Sequence, residues 1–117
     1  MNSVKVSQLF KRKVKPLSKK YHTLRESIDE LGEALIKGPY LGESYGGNIY
    51  KVRLSDKSKG KGKSGGFRIL YYLAIQQGND TIIILITILN KGEINTIKKT
   101  DAEYLLTQVL NEIDKEV

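Results

Sequence analysis

Apolar residues recur with helical spacing in the first third of the chain. From Leu17 onwards they lie 4, 3, 4, 3 and 4 residues apart, which predicts one amphipathic helix that ends at Gly38 and Pro39. The residues of this stripe are Leu17, Tyr21, Leu24, Ile28, Leu31 and Leu35. A shorter helix is predicted over Gln8 to Val14, and Pro16 is expected to break the chain between the two helices.

Two further patterns predict a third helix and two strands. Thr100 and Glu103 have the spacing of a capping box, in which each side chain satisfies a free amide at the start of a helix. Thr81 to Leu89 is β-branched and apolar without alternation, which predicts a central strand covered on both sides. Ser3 to Ser7 alternates over a few residues and predicts a short first strand. The apolar residues of the third helix are Leu105, Leu106, Val109, Leu110 and Ile113.

The middle of the chain alternates with the period of strands. Tyr50 to Leu54 and Phe67 to Leu73 predict a hairpin around Ser55 to Gly66, a long loop rich in Lys, Ser and Gly. Tyr40 to Asn48 is predicted to be a connector, because its glycines favour turns. The predicted order is β-α-α-β-β-β-α in a single domain over residues 1–117. We expect an α+β fold whose mostly antiparallel sheet carries helices on one face and leaves the other open to a ligand.

Positive charge is concentrated in this hairpin. The 117 residues include 20 Lys and Arg against 13 Asp and Glu, and six of the seven net positive charges lie within Tyr50 to Tyr72. Clustered cations attract phosphates by steering and by counterion release, so a polyanionic partner is predicted. The chain has no cysteine, which excludes disulfides and thiolate metal sites. No apolar run is long enough to span a membrane, so we expect a soluble protein. A chain without cysteine suits the reducing cytoplasm, and we expect neither a cofactor nor a metal.

Three cations of the hairpin strands are the candidate catalytic groups. Alternation places Lys51 and Arg53 on one face of their strand, and a shared face with Arg68 would create a phosphate site. Fixed cations suit RNA cleavage by its own 2′-hydroxyl, because they stabilise the charge that develops on the phosphorane. Lys51 is the candidate general base or acid, since neighbouring cations disfavour its charged form. The alternative is that all three are ordinary solvated strand residues.

The hairpin also resembles a known family. The segments YKVRL and GKGKSGGFRILYY, followed by a β-branched strand that ends in NKGE, resemble the RelE/ParE toxin superfamily, in particular its RelE/HigB-like branch. This resemblance implies a small curved sheet with two N-terminal helices and one C-terminal helix. It also implies metal-independent cleavage of mRNA on the ribosome and inhibition by a cognate antitoxin.

The resemblance assigns roles to individual residues. The family's basic positions fall on Lys51, Arg53 and Arg68. Members often carry an arginine just after the fourth strand, where this chain has Lys91, which is expected to supply that charge. Members also often carry a tyrosine near the start of the last helix, where this chain has Lys98 and Lys99.

The leading hypothesis is therefore an mRNA endoribonuclease that acts on the ribosome as the toxin of a toxin–antitoxin pair. The loop is predicted to bind ribosomal RNA phosphates through Lys57, Lys59, Lys61 and Lys63. An antitoxin is expected to present acidic residues to the basic face, or apolar residues to the sheet edge and the last helix. The alternatives are a non-catalytic DNA gyrase poison of the ParE type and a basic RNA-binding module.

Overall fold

A computed structural model of the chain describes residues 2–56, 66–75, 78, 80–90 and 97–116. These residues form three helices and a five-stranded sheet, which confirms the predicted α+β class. The strands lie in the order β1-β5-β4-β3-β2, with β1 parallel to β5 and all other neighbours antiparallel. The elements are β1 (Ser3–Val6), α1 (Gln8–Lys20), α2 (Leu24–Lys37), β2 (Glu43–Gly46), β3 (Ile49–Leu54), β4 (Phe67–Ile75), β5 (Thr81–Leu89) and α3 (Lys99–Glu116).

Strand β2 forms where a connector was predicted. It pairs with β3 at the edge of the sheet. The turn that joins the two strands contains Gly46, Gly47 and Asn48, all of which have positive φ. Gly42 brings the preceding loop against β3, because a Cβ there would lie 2.3 Å from the carbonyl oxygen of Lys51. The segment is only four residues long and lacks apolar alternation, so its pairing depends on these glycines and on the partner strand.

The first two helices meet at a different place from the predicted one. Helix α1 continues through Pro16 and ends at Lys20, and the Tyr21 amide donates to the Leu17 carbonyl at 2.8 Å. Pro16 is exposed on a solvent-facing part of the helix, where a carbonyl that lacks its helical donor can bind water. The predicted break at Pro16 was therefore wrong. The apolar stripe from Leu17 to Leu35 is shared between two helices, yet all of it packs in one core.

Helices cover both faces of the sheet, so the prediction that they lie on one face was wrong. On the first face, α1 and α2 pack against residues that include Val52, Ile69 and Leu85. On the second face, α3 packs against a separate apolar cluster. That cluster contains Ile49, Leu70, Ile84, Ile86, Leu89, Ala102 and Val109. Strand β5 is buried on both sides, as predicted, and burying each large side chain stabilises the fold by about 1.5–3 kcal/mol.

None of the described helices has both the length and the apolar content needed to cross a membrane.

Candidate phosphate-binding site

Two arginines lie directly opposite each other on the second face of the sheet. The β3–β4 register pairs Arg53 with Arg68, and like charges in this position repel each other. Arg53 is exposed and Arg68 is half-buried, with the Arg68 Nη1 donating to the Phe67 carbonyl at 3.2 Å. Burial, and next the charge of Arg53, lower the pKa of Arg68, although a guanidinium stays protonated in proteins. Such a pair favours a bound anion.

Lys51 lies two residues before Arg53 and on the same face. Its ammonium is 5.2 Å from the centre of the Tyr45 ring and 3.9 Å from the Glu43 Oε2. The β2–β3 register places Glu43 directly opposite Lys51, which explains this ion pair. The three candidate cations therefore share one face, but Lys51 has a carboxylate beside it that the sequence reasoning did not identify.

Strand β3 is tied to α2 just beyond Arg53. Asp56 is 7% exposed, and its Oδ1 accepts hydrogen bonds from the Thr23 hydroxyl at 2.7 Å and the Ser27 hydroxyl at 2.8 Å. Its Oδ2 is buried and has no hydrogen-bond partner within the described part of the chain. The sequence marks Asp56 as the single acid of the basic segment, but only the fold reveals it as an anchor. This anchor fixes the end of the strand that carries Arg53.

A fourth cation, Lys99 of α3, lies at the edge of the sheet formed by β2. A Cβ on Gly46 would lie 3.0 Å from the Lys99 Nζ, so this ammonium lies against the backbone at the end of β2. The position of the Lys99 side chain depends on how α3 packs on the sheet. The sequence shows only that Lys99 lies near the start of the predicted helix. The other predicted cations, Lys91 and the loop residues Lys57, Lys59, Lys61 and Lys63, lie outside the described residues.

The buried tyrosine of the hairpin belongs to the first face and not to this site. The Tyr71 hydroxyl donates to the carbonyls of Leu41 and Pro39, the latter at 3.0 Å, and its ring stacks on Tyr50 at 5.4 Å. Burial raises the pKa of Tyr71 from its ordinary value of 10 to about 12. Tyr71 is thus a structural residue that holds the loop before β2.

The geometry supports electrostatic chemistry. Lys51, Arg53 and Arg68 can bind the oxygens of a phosphate and stabilise additional negative charge there. No group of three or more His, Cys, Asp and Glu side chains in the described ranges is placed to hold a metal ion.

Comparison with known proteins identifies the architecture. No family model and no curated protein sequence matches the chain. A solved structure does match: the E. coli toxin RelE in the free state, in a mutant with two arginines replaced by alanine. The alignment has a TM-score of 0.51 and 16% identity, and it covers 95% of this chain and 96% of that one. This chain has a RelE-like fold. The fold expected from the hairpin resemblance is thereby confirmed.

The basic face of this RelE-like fold consists of the Lys51, Arg53 and Arg68 side chains on the second face of the sheet. Strands β3 and β4 carry these residues, and α3 covers apolar residues of the same face. The second face therefore combines an apolar part under a helix with a charged part on β3 and β4.

Proposed function

We propose that this protein is the toxin of a toxin–antitoxin pair and that it cleaves mRNA on the ribosome without a metal ion. The observation that carries the proposal is the directly opposed pair of Arg53 and Arg68, with Lys51 on the same face of a RelE-like fold. A fold without a need for anion binding gains nothing from two arginines in register, because their repulsion is a cost to stability. A phosphodiester between them offsets that cost.

The proposed reaction is an intramolecular transfer within the RNA. The 2′-hydroxyl gives up its proton to water as its oxygen attacks the adjacent phosphorus, and the bond from phosphorus to the 5′-oxygen breaks. The products are a 2′,3′-cyclic phosphate and a free 5′-hydroxyl, so atoms and charges balance once the leaving oxygen takes up a proton. Negative charge accumulates on the non-bridging oxygens in the transition state, where fixed cations stabilise it most.

Each cation has a proposed role in this reaction. Arg53 and Arg68 bind the non-bridging oxygens, because a planar guanidinium can pair with two oxygens at once. Lys51 lies on the same face, and its ammonium is proposed to donate a proton to the leaving 5′-oxygen. Lys99, at the end of β2, and Lys91, which follows β5 in the sequence, are proposed to add positive charge.

The proposed partners are molecules that would bind the positively charged residues of the hairpin. The loop lysines at positions 57, 59, 61 and 63 are proposed to bind ribosomal RNA phosphates, and the protein is proposed to act on the ribosome in the cytoplasm. A cognate antitoxin is proposed to inhibit the toxin by covering the basic face with acidic residues. Because RNA and inhibitor then use one surface, their binding is mutually exclusive and is weakened by salt.

The test is mRNA cleavage in a purified translation system, with the ends of the message mapped by primer extension. Replacing Arg68 with Ala is expected to lower the cleavage rate by roughly 100- to 1,000-fold, as removal of one transition-state charge does. Arg12→Ala is the matched control, because Arg12 is an exposed arginine on α1. Full cleavage by the Arg68→Ala variant would contradict the assigned site. No cleavage by the unmodified protein, together with trapped gyrase–DNA complexes, would favour the gyrase poison instead.

A further inference from the structure

The edge strand β2 brings an acidic side chain into the basic site. Glu43 lies directly opposite Lys51, and its Oε2 is 3.9 Å from the Lys51 Nζ. The Lys51 ammonium is also 5.2 Å from the centre of the Tyr45 ring, the next but one residue after Glu43. The Lys51 ammonium, on the same face as the arginine pair, therefore already has a carboxylate and an aromatic ring beside it.

The two partners of this ion pair differ in their freedom to move. The Lys51 side chain is 18% exposed, whereas that of Glu43 is 73% exposed. A lysine with most of its side chain packed holds its ammonium in place, while an exposed glutamate can turn into solvent without any movement of the strand. An ion pair with an exposed carboxylate at this distance is weak, so a competing anion can separate the two side chains.

We propose that Glu43 is the resident counter-ion of the phosphate site, which neutralises Lys51 until an RNA phosphate displaces it. This inference rests on the proposed function in one respect, namely that Lys51 is a ligand of the phosphate. Glu43 and the phosphate then compete for the same ammonium. The competition lowers affinity for every polyanion by the same factor, so only RNA that makes additional contacts elsewhere binds well. Glu43 thus sets how much additional contact an RNA must make before it occupies the site.

A purely structural role for Glu43 makes a different prediction. A cross-strand ion pair that only stabilised the β2–β3 pairing would, when removed, lower the stability of the edge strand. Its removal would leave the affinity for nucleic acid unchanged or would lower that affinity. A counter-ion, when removed, raises affinity, and it does so only while Lys51 is present.

The experiment measures binding of a short single-stranded RNA whose 2′-oxygens are methylated, so that cleavage is blocked, by fluorescence anisotropy at several salt concentrations. Glu43→Gln is expected to bind roughly fivefold more tightly than the unmodified protein at low salt, and the gain is expected to shrink as salt rises. Glu33→Gln is the matched control, because it makes the same change in net charge at an exposed position on α2. It is expected to change affinity less than about twofold.

Two further variants separate the possible failures. Lys51→Gln is expected to weaken binding, and the Glu43→Gln gain is expected to vanish when both substitutions are combined. If Lys51→Gln weakens binding but Glu43→Gln gives no more gain than Glu33→Gln, the counter-ion role is overturned while the phosphate site stands. If Lys51→Gln leaves affinity unchanged, the role of Lys51 in the site fails, and the counter-ion with it. Thermal unfolding of each variant verifies that all are folded.

Discussion

The first face of the sheet and the basic part of its second face differ in how their polar groups are satisfied. On the first face, the Tyr71 hydroxyl donates to backbone carbonyls, and the Thr23 and Ser27 hydroxyls donate to Asp56. On the basic part of the second face, Arg53 opposes Arg68 instead of an acid. The same strands thus carry an interior whose Tyr71, Thr23 and Ser27 hydroxyls find acceptors within the protein, and a surface that an anion would stabilise.

This difference teaches where stability and function lie in the molecule. Phe67 and Arg68 are neighbours on β4, yet Phe67 is fully buried against the Tyr21 ring while Arg68 faces the opposite side. Alternation along one strand is enough to separate the two roles. Substitutions on the first face are therefore expected to act on folding, and substitutions at the arginine pair on anion binding.

The largest expected effect on stability is at Phe67. Its replacement with Ala removes a buried ring from the first-face core and leaves a cavity, which is expected to lower the free energy of unfolding by about 3–5 kcal/mol. Urea denaturation measures the change. The neighbouring Arg68→Ala serves as the comparison and is expected not to destabilise the protein. Equal losses at both positions would remove the distinction between the faces.

A smaller loss is expected when Asp56 is replaced with Ala. The Thr23 and Ser27 hydroxyls then lose a charged acceptor, which is expected to lower the free energy of unfolding by about 2–3 kcal/mol. Asp29→Ala is the control, because Asp29 is an exposed acid on α2. Because the anchor fixes the end of β3, the variant is also expected to bind RNA less well at temperatures where it remains folded. A loss no larger than that of Asp29→Ala would show that the anchor contributes little.

A pH-dependent effect is expected at Tyr71. Its pKa of about 12 in the folded protein exceeds the ordinary value of 10, so the folded state holds the phenolic proton more tightly. The stability due to this neutral group is complete below pH 10 and is lost as pH rises from 10 towards 12. Tyr71→Phe is expected to cost about 1–2 kcal/mol near neutral pH, because two carbonyls lose their donor.

The measurement for Tyr71 is the difference in unfolding free energy between the two proteins from pH 8 to pH 11. That difference is expected to narrow above pH 10. A difference for Tyr71→Phe that is independent of pH would mean that the phenol titrates alike in the folded and unfolded chains.

The smallest expected effect is at the arginine pair. Arg53→Thr removes the repulsion from Arg68 and is expected to stabilise the protein by about 0.2–1 kcal/mol in low salt. Inorganic phosphate is expected to raise the melting temperature of the unmodified protein more than that of this variant, because it binds between the two guanidinium groups. Equal responses to phosphate, with sodium chloride of the same ionic strength as reference, would argue against a bound anion at this pair.

Local pattern was enough to predict much of the fold and part of the site. The stripe from Leu17 to Leu35 predicted which side chains are buried, and the unbroken apolar run of β5 predicted a strand covered on both faces. Alternation along β3 placed Lys51 and Arg53 together on one face. These features follow from the period of a single helix or strand, which depends only on neighbouring residues.

Other features depended on contacts between distant parts of the chain. The two N-terminal helices separate at Tyr21 to Thr23 instead of Pro16, and the Thr23 hydroxyl there meets Asp56, 33 residues away. Helix α3 covers the second face because the apolar residues of β4 and β5 on that side need a partner. A helix period identifies an apolar stripe but does not specify which surface that stripe will cover.

The candidate site shows the same division most clearly. The sequence by itself determined that Lys51 and Arg53 project to one side, because side chains alternate along any strand. Only the tertiary structure decided that Arg53 faces Arg68 and that Lys51 faces Glu43. The physical reason is that strand register is set by pairing with other segments, and a shift of one residue would move every side chain to the opposite face.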